Sequence, residues 1–154
     1  MERILGVDIG GVIISHNEIN GAYLPIPDVF ETLKELQDKK FGKNIFVVSC
    51  ADTYLRFAML NWLSVKKFHK ETGISLDRVH FCEERKEKAR ICQHLGVTDF
   101  VDDRKEIMVY LYNAGVKNLY LFQGRAEEEG CYEYILPHVK KIDSWLTLGK
   151  DLLG

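Results

Sequence analysis

The chain has 154 residues, of which 46% are hydrophobic and 29% are charged, as in an ordinary soluble globular protein. This length favours a single domain, residues 1–154, because two domains would each be left with a small core. The formal net charge of −2 at pH 7 gives no general attraction to nucleic acids or to acidic membranes, so neither is expected as a partner.

The cysteines lack the paired spacing of a metal site, and a chain with a large predicted core needs no disulfide framework, so reduced thiols are expected. They are Cys50, Cys82, Cys92 and Cys131. Residues Met1–Arg3 lead directly into the first apolar run, which leaves no room for a signal peptide. No apolar run approaches the length of a membrane span. A soluble cytoplasmic protein is therefore expected.

Five short apolar runs are typical of buried strands, because a parallel strand covered on both faces shows no alternation of apolar and polar residues. The runs lie at residues 4–7, 45–48, 79–82, 100–101 and 119–122. The stretches between them carry apolar residues at helical spacing, and most end at a glycine, which predicts helices. These stretches lie at about 28–40, 53–72, 83–95, 107–114 and 135–145.

Two of the intervening segments carry further expectations. Residues 15–27 are polar and rich in turn-forming residues, which predicts a loop or flap. The helix that follows the second strand begins at Asp52 or Thr53 and is expected to bury an apolar stripe in the core. The stripe consists of Leu55, Ala58, Met59, Trp62 and Phe68.

The alternation of strands and helices predicts an α/β fold of three layers, with a parallel sheet of about five strands covered by helices on both faces. Right-handed crossovers then place the carboxyl ends of all strands at one edge of the sheet. Three of these ends carry polar residues of catalytic type, namely Asp8, Ser49 and the pair Asp102–Asp103. Ligands bind at this edge in open α/β sheets, so the sequence predicts a functional site there.

These residue types suit phosphoryl transfer. A carboxylate such as Asp8 can attack phosphorus and form an aspartyl-phosphate. Attack by one anion on another needs a cation, and Mg²⁺ prefers a site of carboxylates, carbonyls and waters, to which Asp102 or Asp103 would contribute. Ser49 can donate a hydrogen bond to a phosphoryl oxygen, aided by backbone N–H groups at the start of the next helix. A lysine would neutralise the remaining charge.

The order of these elements resembles the haloacid dehalogenase (HAD) superfamily, whose members are mostly Mg²⁺-dependent phosphatases of Rossmann-like fold. Its first motif, an apolar strand followed by D-x-D-G-[VT], is similar to Val7–Val12. The second, a strand ending in Ser or Thr, is similar to Ile45–Ser49, and the fourth, a strand ending in an acidic pair, to Phe100–Asp103. The third motif is a lysine, for which Lys88 is preferred over Lys86 because apolar helix positions follow it directly.

The resemblance covers residues 4–122 and implies a role for each motif residue. Asp8 would be the nucleophile, and Ser49 and Lys88 would hold the phosphoryl group. The full phosphate-binding set would be Gly11, Ser49, Cys50 and Lys88. The metal ligands would be Asp8, the carbonyl of Gly10, Asp102 and Asp103. Larger members insert a cap domain that the intervals in this chain have no room for, which implies an open site. Its partner would be a phosphorylated substrate whose size the sequence does not define, and such a site can also be closed by a second subunit in a homo-oligomer.

One position departs from the HAD pattern. Phosphatases of the superfamily usually carry a second aspartate, the general acid and base, two residues after the nucleophile, where this chain has Gly10. Acid–base catalysis contributes about 10²–10⁴-fold in rate. Gly10 is therefore compatible with a slow phosphatase, a specialised variant, or a catalytically weak domain that binds Mg²⁺ and phosphate or a protein partner.

The sequence also resembles a second family, and two further residues are candidates for the site. Residues 6–11 resemble the phosphate-binding turn of sugar kinases with the actin-like ATPase fold, but those proteins need far more chain and a Thr where this sequence has Val12. His16 is either a substrate contact or an ordinary loop residue. Arg104 is expected to pair either with a carboxylate or with a substrate phosphate.

Overall fold

Parallel strands form the centre of the molecule, and helices cover both faces of their sheet. The computed structural model describes residues 2–154. In this range the strands are β1 (Leu5–Val7), β2 (Ile14–Ile19), β3 (Ala22–Pro25), β4 (Ile45–Cys50), β5 (Val79–Cys82), β6 (Asp99–Asp102), β7 (Asn118–Phe122) and β8 (Lys140–Ile142). The helices are α1 (Val29–Leu36), α2 (Thr53–Val65), α3 (Phe68–Thr72), α4 (Glu87–Leu95), α5 (Lys105–Asn113) and α6 (Trp145–Leu153). A π-helical turn extends α1 (Gln37–Phe41), and 3₁₀ turns occur at Leu76–Arg78, Ala126–Glu128 and Glu133–His138.

The strand order explains why the site forms beside β1. Six strands pair in the order β5–β4–β1–β6–β7–β8, and all their pairs are parallel. Along the chain, β4 and then β5 are added on one side of β1, and β6 is then added on the other side. Such a reversal of strand order leaves a crevice outside the carboxyl ends of the strands. Asp8, which directly follows β1, lies at this crevice.

Alternate residues of the strands pack into two separate apolar cores, one on each face of the sheet. Val101 and Phe122 pack with α1, α3 and α6 on one face of the sheet, whereas Phe100 and Leu121 pack with α4 and α5 on the other. This alternation is the period of a β-strand, and both sets of side chains are buried because helices cover both faces. None of the helices in residues 2–154 combines the length and the apolar character that a membrane crossing requires.

The predicted three-layer α/β arrangement is present, with six strands rather than about five. The additional strand is β8, in the stretch where the sequence predicts a final helix at 135–145. That prediction is wrong: a 3₁₀ turn (Glu133–His138), β8 and the start of α6 replace the single helix. Strand β8 lies at the edge of the sheet and exposes Lys140 and Lys141, so it lacks the apolar run that marks a buried strand.

Two segments between the sheet strands also differ from expectation. The predicted loop contains an antiparallel hairpin of β2 and β3. Asn20 and Gly21 form its turn, both with positive φ (51° and 77°), as in the two-residue turns that suit hairpins. The predicted core stripe of the second helix is right in part. Phe68 is buried in the core, although it belongs to α3, and Met59 and Trp62 are half-buried against the core. Within α2 only Leu63 is fully buried, and Leu55 is 41% exposed. The apolar periodicity is real, but most of this face borders a cleft rather than the core.

A buried tryptophan ties α6 to the turn that follows Asp8. The indole Nε1 of Trp145 donates a hydrogen bond to the Val12 carbonyl oxygen at 2.7 Å, and both residues have no exposed surface. The ring also packs against Phe122, with 5.9 Å between the ring centroids. Because a buried carbonyl without a donor is costly, this bond helps to fix the turn of residues 9–14.

We expect Trp145→Phe to lower the free energy of unfolding by about 2 kcal/mol, because it removes this donor and leaves a small cavity. Urea denaturation followed by far-ultraviolet circular dichroism measures the change. Leu146→Ala is the control, since Leu146 is 57% exposed on the same helix and should change stability by less than about 0.5 kcal/mol. Equal stability of Trp145→Phe and the control would show that the bond does not hold the turn.

Candidate active site

The nucleophile candidate is fixed by the central strand. The backbone N–H of Asp8 donates to the Val101 carbonyl of β6 at 3.0 Å, so the residue still belongs to the parallel ladder. Its carboxylate emerges at the carboxyl edge of the sheet, where only 11% of the side chain is exposed. The sheet therefore holds Asp8 at the bottom of a cleft rather than on its rim.

Lys88 joins two carboxylates beneath the cleft. It lies in the first turn of α4 and is 1% exposed, and its Nζ lies 3.1 Å from Asp8 Oδ1 and 2.8 Å from Asp102 Oδ2. Lys86, the alternative in the sequence, is exposed and pairs with Glu84 at 3.3 Å. The structure thus brings Lys88 to the predicted site and leaves Lys86 at the surface.

Burial and neighbouring charges shift the pKa values of Asp8 and Lys88. Desolvation and the neighbouring Asp102 carboxylate raise the pKa of Asp8 to about 7, although Lys88 opposes the rise. Burial lowers the pKa of Lys88, but the attraction of Asp102 and Asp8 outweighs it, and the net shift is upward. Lys88 is therefore a permanent cation in the folded protein, while Asp8 titrates near neutral pH. Strongly perturbed groups of this kind are concentrated at functional sites.

Asp103 has a different set of partners from Asp102. Its Oδ2 lies 3.0 Å from His16 Nε2 and accepts a hydrogen bond from Arg125 Nε at 2.9 Å. Its Oδ1 is buried and has no hydrogen-bond partner among residues 2–154. Burial and Asp102 raise the pKa of Asp103, against the effects of His16 and Arg125. A buried carboxylate oxygen without a partner calls for a cation or a water.

The carboxylates of Asp8, Asp102 and Asp103 can together hold a metal ion. Each offers an oxygen, and these atoms all lie within 4.8 Å of one another. A set of oxygen donors with no sulfur or imidazole fits Mg²⁺, and Asp103 also has a buried Oδ1 without a hydrogen-bond partner among the described residues. The residues present therefore fit the metal that the HAD resemblance implies.

The two glycines after Asp8 have different constraints. Gly11 has φ +80°, and a Cβ there would collide with Asp103 and His16, so the close approach of these residues requires glycine. Its N–H donates to the Ile14 carbonyl at 2.8 Å and would have to leave this bond to reach a phosphate. Gly10 has no such constraint: a Cβ there would meet only His16 Cε1, at an ordinary 3.7 Å.

The end of β4 supplies the second predicted motif. Ser49 is 2% exposed, and its Oγ has only the Met59 Sδ, at 3.7 Å, as a weak acceptor, so its hydroxyl lacks a strong partner within the described chain. The Cys50 Sγ donates to the Glu83 carbonyl at 3.0 Å. Both residues line the same cleft as Asp8 and Lys88. The predicted phosphate-binding set thus lies together, apart from the Gly11 amide.

Above these residues is an open cleft of about 710 Å³, which is a typical size for a small-molecule site. One wall is apolar and comes from the hairpin and α2, including Tyr23, Leu55, Met59 and Trp62. Trp62 Nε1 donates to the Tyr23 carbonyl at 2.8 Å and joins the two parts of this wall. Basic side chains also line the cleft. The cleft can therefore take a phosphate ester with a partly apolar body.

Two contributors to the site carry no recognisable sequence signal. Arg125, which bonds Asp103, follows β7 in a turn with no motif. Glu128 accepts hydrogen bonds from the N–H groups of Lys105 and Glu106, at 2.6 and 3.1 Å. It thus caps α5, which has no side-chain cap of its own, and so fixes the helix that directly follows the acidic pair. In the sequence Glu128 stands in a run of three glutamates, which is more typical of a solvated surface.

The sequence matches no protein-family model, and a comparison with curated proteins finds no match. Among solved structures, the fold is similar to that of D,D-heptose 1,7-bisphosphate phosphatase from Burkholderia thailandensis. The TM-score is 0.66 at 17% sequence identity, with 99% of each chain covered. A designed Rossmann 3x3 protein, studied by solution NMR, gives a TM-score of 0.48 at 16% identity over 96% of this chain and 90% of that one, which is too low to add to the argument.

The first of these likenesses confirms the fold class that the sequence predicts, a Rossmann-like three-layer α/β fold.

The perturbed carboxyl of Asp8 gives a prediction about stability without metal. Its folded-state pKa of about 7 lies above the ordinary value of 3.8, so the folded state loses stability as the pH rises from about 4 through 7. Asp8→Asn removes the group whose ionisation destabilises the folded state, and it also removes one of the two carboxylates that pair with Lys88. We expect the variant to melt about 3–6 °C above the wild type at pH 8, a gain of roughly 1–2 kcal/mol, and close to the wild type at pH 5.

Melting curves in EDTA at the two pH values measure this difference. Asp38→Asn is the matched control, because Asp38 is half exposed and pairs with Lys34 on the surface of the π-helical turn that extends α1. It should shift the melting temperature by no more than about 1 °C at either pH. A wild type and an Asp8→Asn variant that respond identically to pH would mean that Asp8 is not destabilised by its charge.

Proposed function

We propose that the protein is a Mg²⁺-dependent, HAD-like phosphohydrolase that works through an aspartyl-phosphate on Asp8. The observation that carries the proposal is the buried Lys88 ammonium, which bonds both Asp8 and Asp102 at the floor of the cleft. A buried lysine between two carboxylates neutralises charge at the point where a phosphate dianion would have to approach a carboxylate. The likeness to a solved phosphatase agrees with this class of reaction.

The reaction consists of two displacements at phosphorus. In the first, an Asp8 carboxylate oxygen attacks phosphorus, the bond from phosphorus to the ester oxygen breaks, and the alcohol leaves with a proton. In the second, water attacks the aspartyl-phosphate, releases inorganic phosphate and restores Asp8. Lys88 neutralises charge in both steps. The Ser49 hydroxyl turns from its weak contact with Met59 to donate to a phosphoryl oxygen.

The metal site of this proposal consists of Asp8, Asp102, Asp103 and the Gly10 carbonyl. When bound, Mg²⁺ supplies positive charge that lowers the repulsion between the phosphate and the carboxylates. Arg125 and His16 orient Asp103 through its Oδ2 and leave Oδ1 for the metal. Because a bound cation favours the ionised form of Asp8, the nucleophile would be deprotonated below its metal-free pKa of about 7.

The absence of a carboxylate at Gly10 shapes the expected substrate. The proton for the leaving group has to come from solvent, from another side chain or from the substrate itself. Esters whose leaving groups need little protonation should therefore react fastest. The same feature favours a second candidate function, a catalytically weak domain that uses the pocket to bind Mg²⁺ and phosphate or a protein partner.

The direct test is hydrolysis of p-nitrophenyl phosphate with Mg²⁺. We expect slow release of p-nitrophenol that falls at least 100-fold in Asp8→Asn and disappears in EDTA, because the nucleophile or the metal is lost. Asp38→Asn, an exposed surface carboxylate, should keep the wild-type rate. No release at high protein concentration would favour the binding domain instead.

A second test restores the missing group. Gly10 has space for a Cβ and does not need positive φ. Gly10→Asp should therefore fold and raise turnover of a poorly activated ester such as phenyl phosphate about 10–100-fold. Gly10→Asn has nearly the same shape without an acidic group and should give no gain. If both variants match the wild type, the chain lacks more than an acid and base.

A further inference from the structure

One basic side chain in the cleft forms no ion pair or hydrogen bond with another residue in the range 2–154. The basic residues that line the cleft are Arg85, Lys88, Arg104 and Arg125. Three of them form ion pairs with carboxylates at 2.8–3.1 Å. The exception is Arg104, whose guanidinium has neither an ion pair nor a hydrogen bond with any residue in the range 2–154. Its charge is therefore available to a ligand.

The backbone places Arg104 beside the proposed reaction centre. Its N–H donates to Asp102 Oδ1 at 3.1 Å, and the residue stands between the acidic pair and α5. The residue is half-buried, so it has lost part of its hydration without forming a direct ion pair with a carboxylate of residues 2–154. An anion that formed two parallel hydrogen bonds with the guanidinium would offset this loss.

The strand order shows on which side of Asp8 such an anion would lie. Arg104 follows β6, and Arg125 follows β7, on one side of β1. Glu83 and Arg85 follow β5, on the far side. Arg85 is already paired with Glu106 at 2.8 Å, so the exposed carboxylate of Glu83 would repel an anion there. Ser49 belongs to β4, two strand positions from β6. Because neighbouring strands are about 4.8 Å apart, a second anion would lie within roughly 10 Å of the phosphoryl group.

We propose that the cleft binds phosphate esters that carry a second anionic group, either a phosphate or a carboxylate, and that Arg104 binds this group. The inference rests on the proposed function, since the first anion is the reacting phosphoryl group over Asp8. The carbon skeleton between the two anions would contact the apolar wall that includes Tyr23 and Trp62. Arg104 is thus a specificity residue rather than part of the phosphoryl-transfer machinery.

The test measures binding without turnover. Isothermal titration calorimetry on the Asp8→Asn protein with Mg²⁺ compares two matched pairs of probes: fructose 6-phosphate with fructose 1,6-bisphosphate, and glycerol 3-phosphate with 3-phosphoglycerate. We expect the second anion to tighten binding at least tenfold in one pair or both. Adding Arg104→Gln should lower this ratio at least fivefold, and Arg104→Lys should retain part of it. Arg90→Gln, an exposed arginine on α4 outside the cleft, should leave the ratio unchanged.

Two results would overturn the inference. One is the absence of any gain from the second anion in both pairs. The other is a ratio that Arg104→Gln leaves intact, because equal weakening of both probes would place Arg104 on the reacting phosphate. The outcome is independent of the hydrolysis assay. Hydrolysis without this selectivity contradicts only the second-anion site, and selectivity without hydrolysis contradicts only the proposed reaction.

Discussion

The site depends on one buried ammonium group. Without Lys88, two carboxylates at the ends of neighbouring strands β1 and β6 would repel each other in a medium that screens charge poorly. With it, Asp8 and Asp102 share a cation at 3.1 and 2.8 Å, and α4 is held against the sheet edge from which both project. The same contact leaves the cluster short of positive charge, because three carboxylates face one lysine and one arginine. That imbalance is the physical reason for expecting a metal ion.

The central strands of the fold could be predicted because buried strands have a recognisable amino-acid composition. Strands covered on both faces are continuous apolar runs, so the sequence alone predicts the strands that bear Asp8, Ser49 and Asp102. The lysine was harder, because Lys86 and Lys88 share one charged run. Burial separates them: α4 begins at Glu87, and its first turn directs Lys88 to the cluster while Lys86 stays in solvent.

The outer parts of the fold and the rest of the site could not be predicted, because a local sequence pattern does not show which other segments of the chain will pack against it. The exposed edge strand β8 needs no apolar run. The apolar residues of α2 repeat at helical spacing, but that spacing identifies a face and not its surroundings, and most of the face borders the cleft. Arg125 contacts Asp103 only because β7 pairs with β6 in the sheet. This pairing is a feature of the tertiary structure that no local sequence pattern shows. Gly10 can be identified in the sequence, yet only the structure shows that a Cβ at this position would make no close contact.

A crystal structure with Mg²⁺ and beryllium fluoride, a mimic of the phosphoryl group, would show whether Asp8 is the nucleophile and whether the carboxylates bind a metal. We expect the beryllium to be bonded to an Asp8 carboxylate oxygen, with Ser49 and Lys88 on its fluorines, and Mg²⁺ to be held by Asp8 and the Asp102–Asp103 pair. This expectation would be contradicted by a saturated crystal in which the cluster holds no metal, Lys88 keeps both of its carboxylate bonds, and the mimic binds elsewhere or not at all.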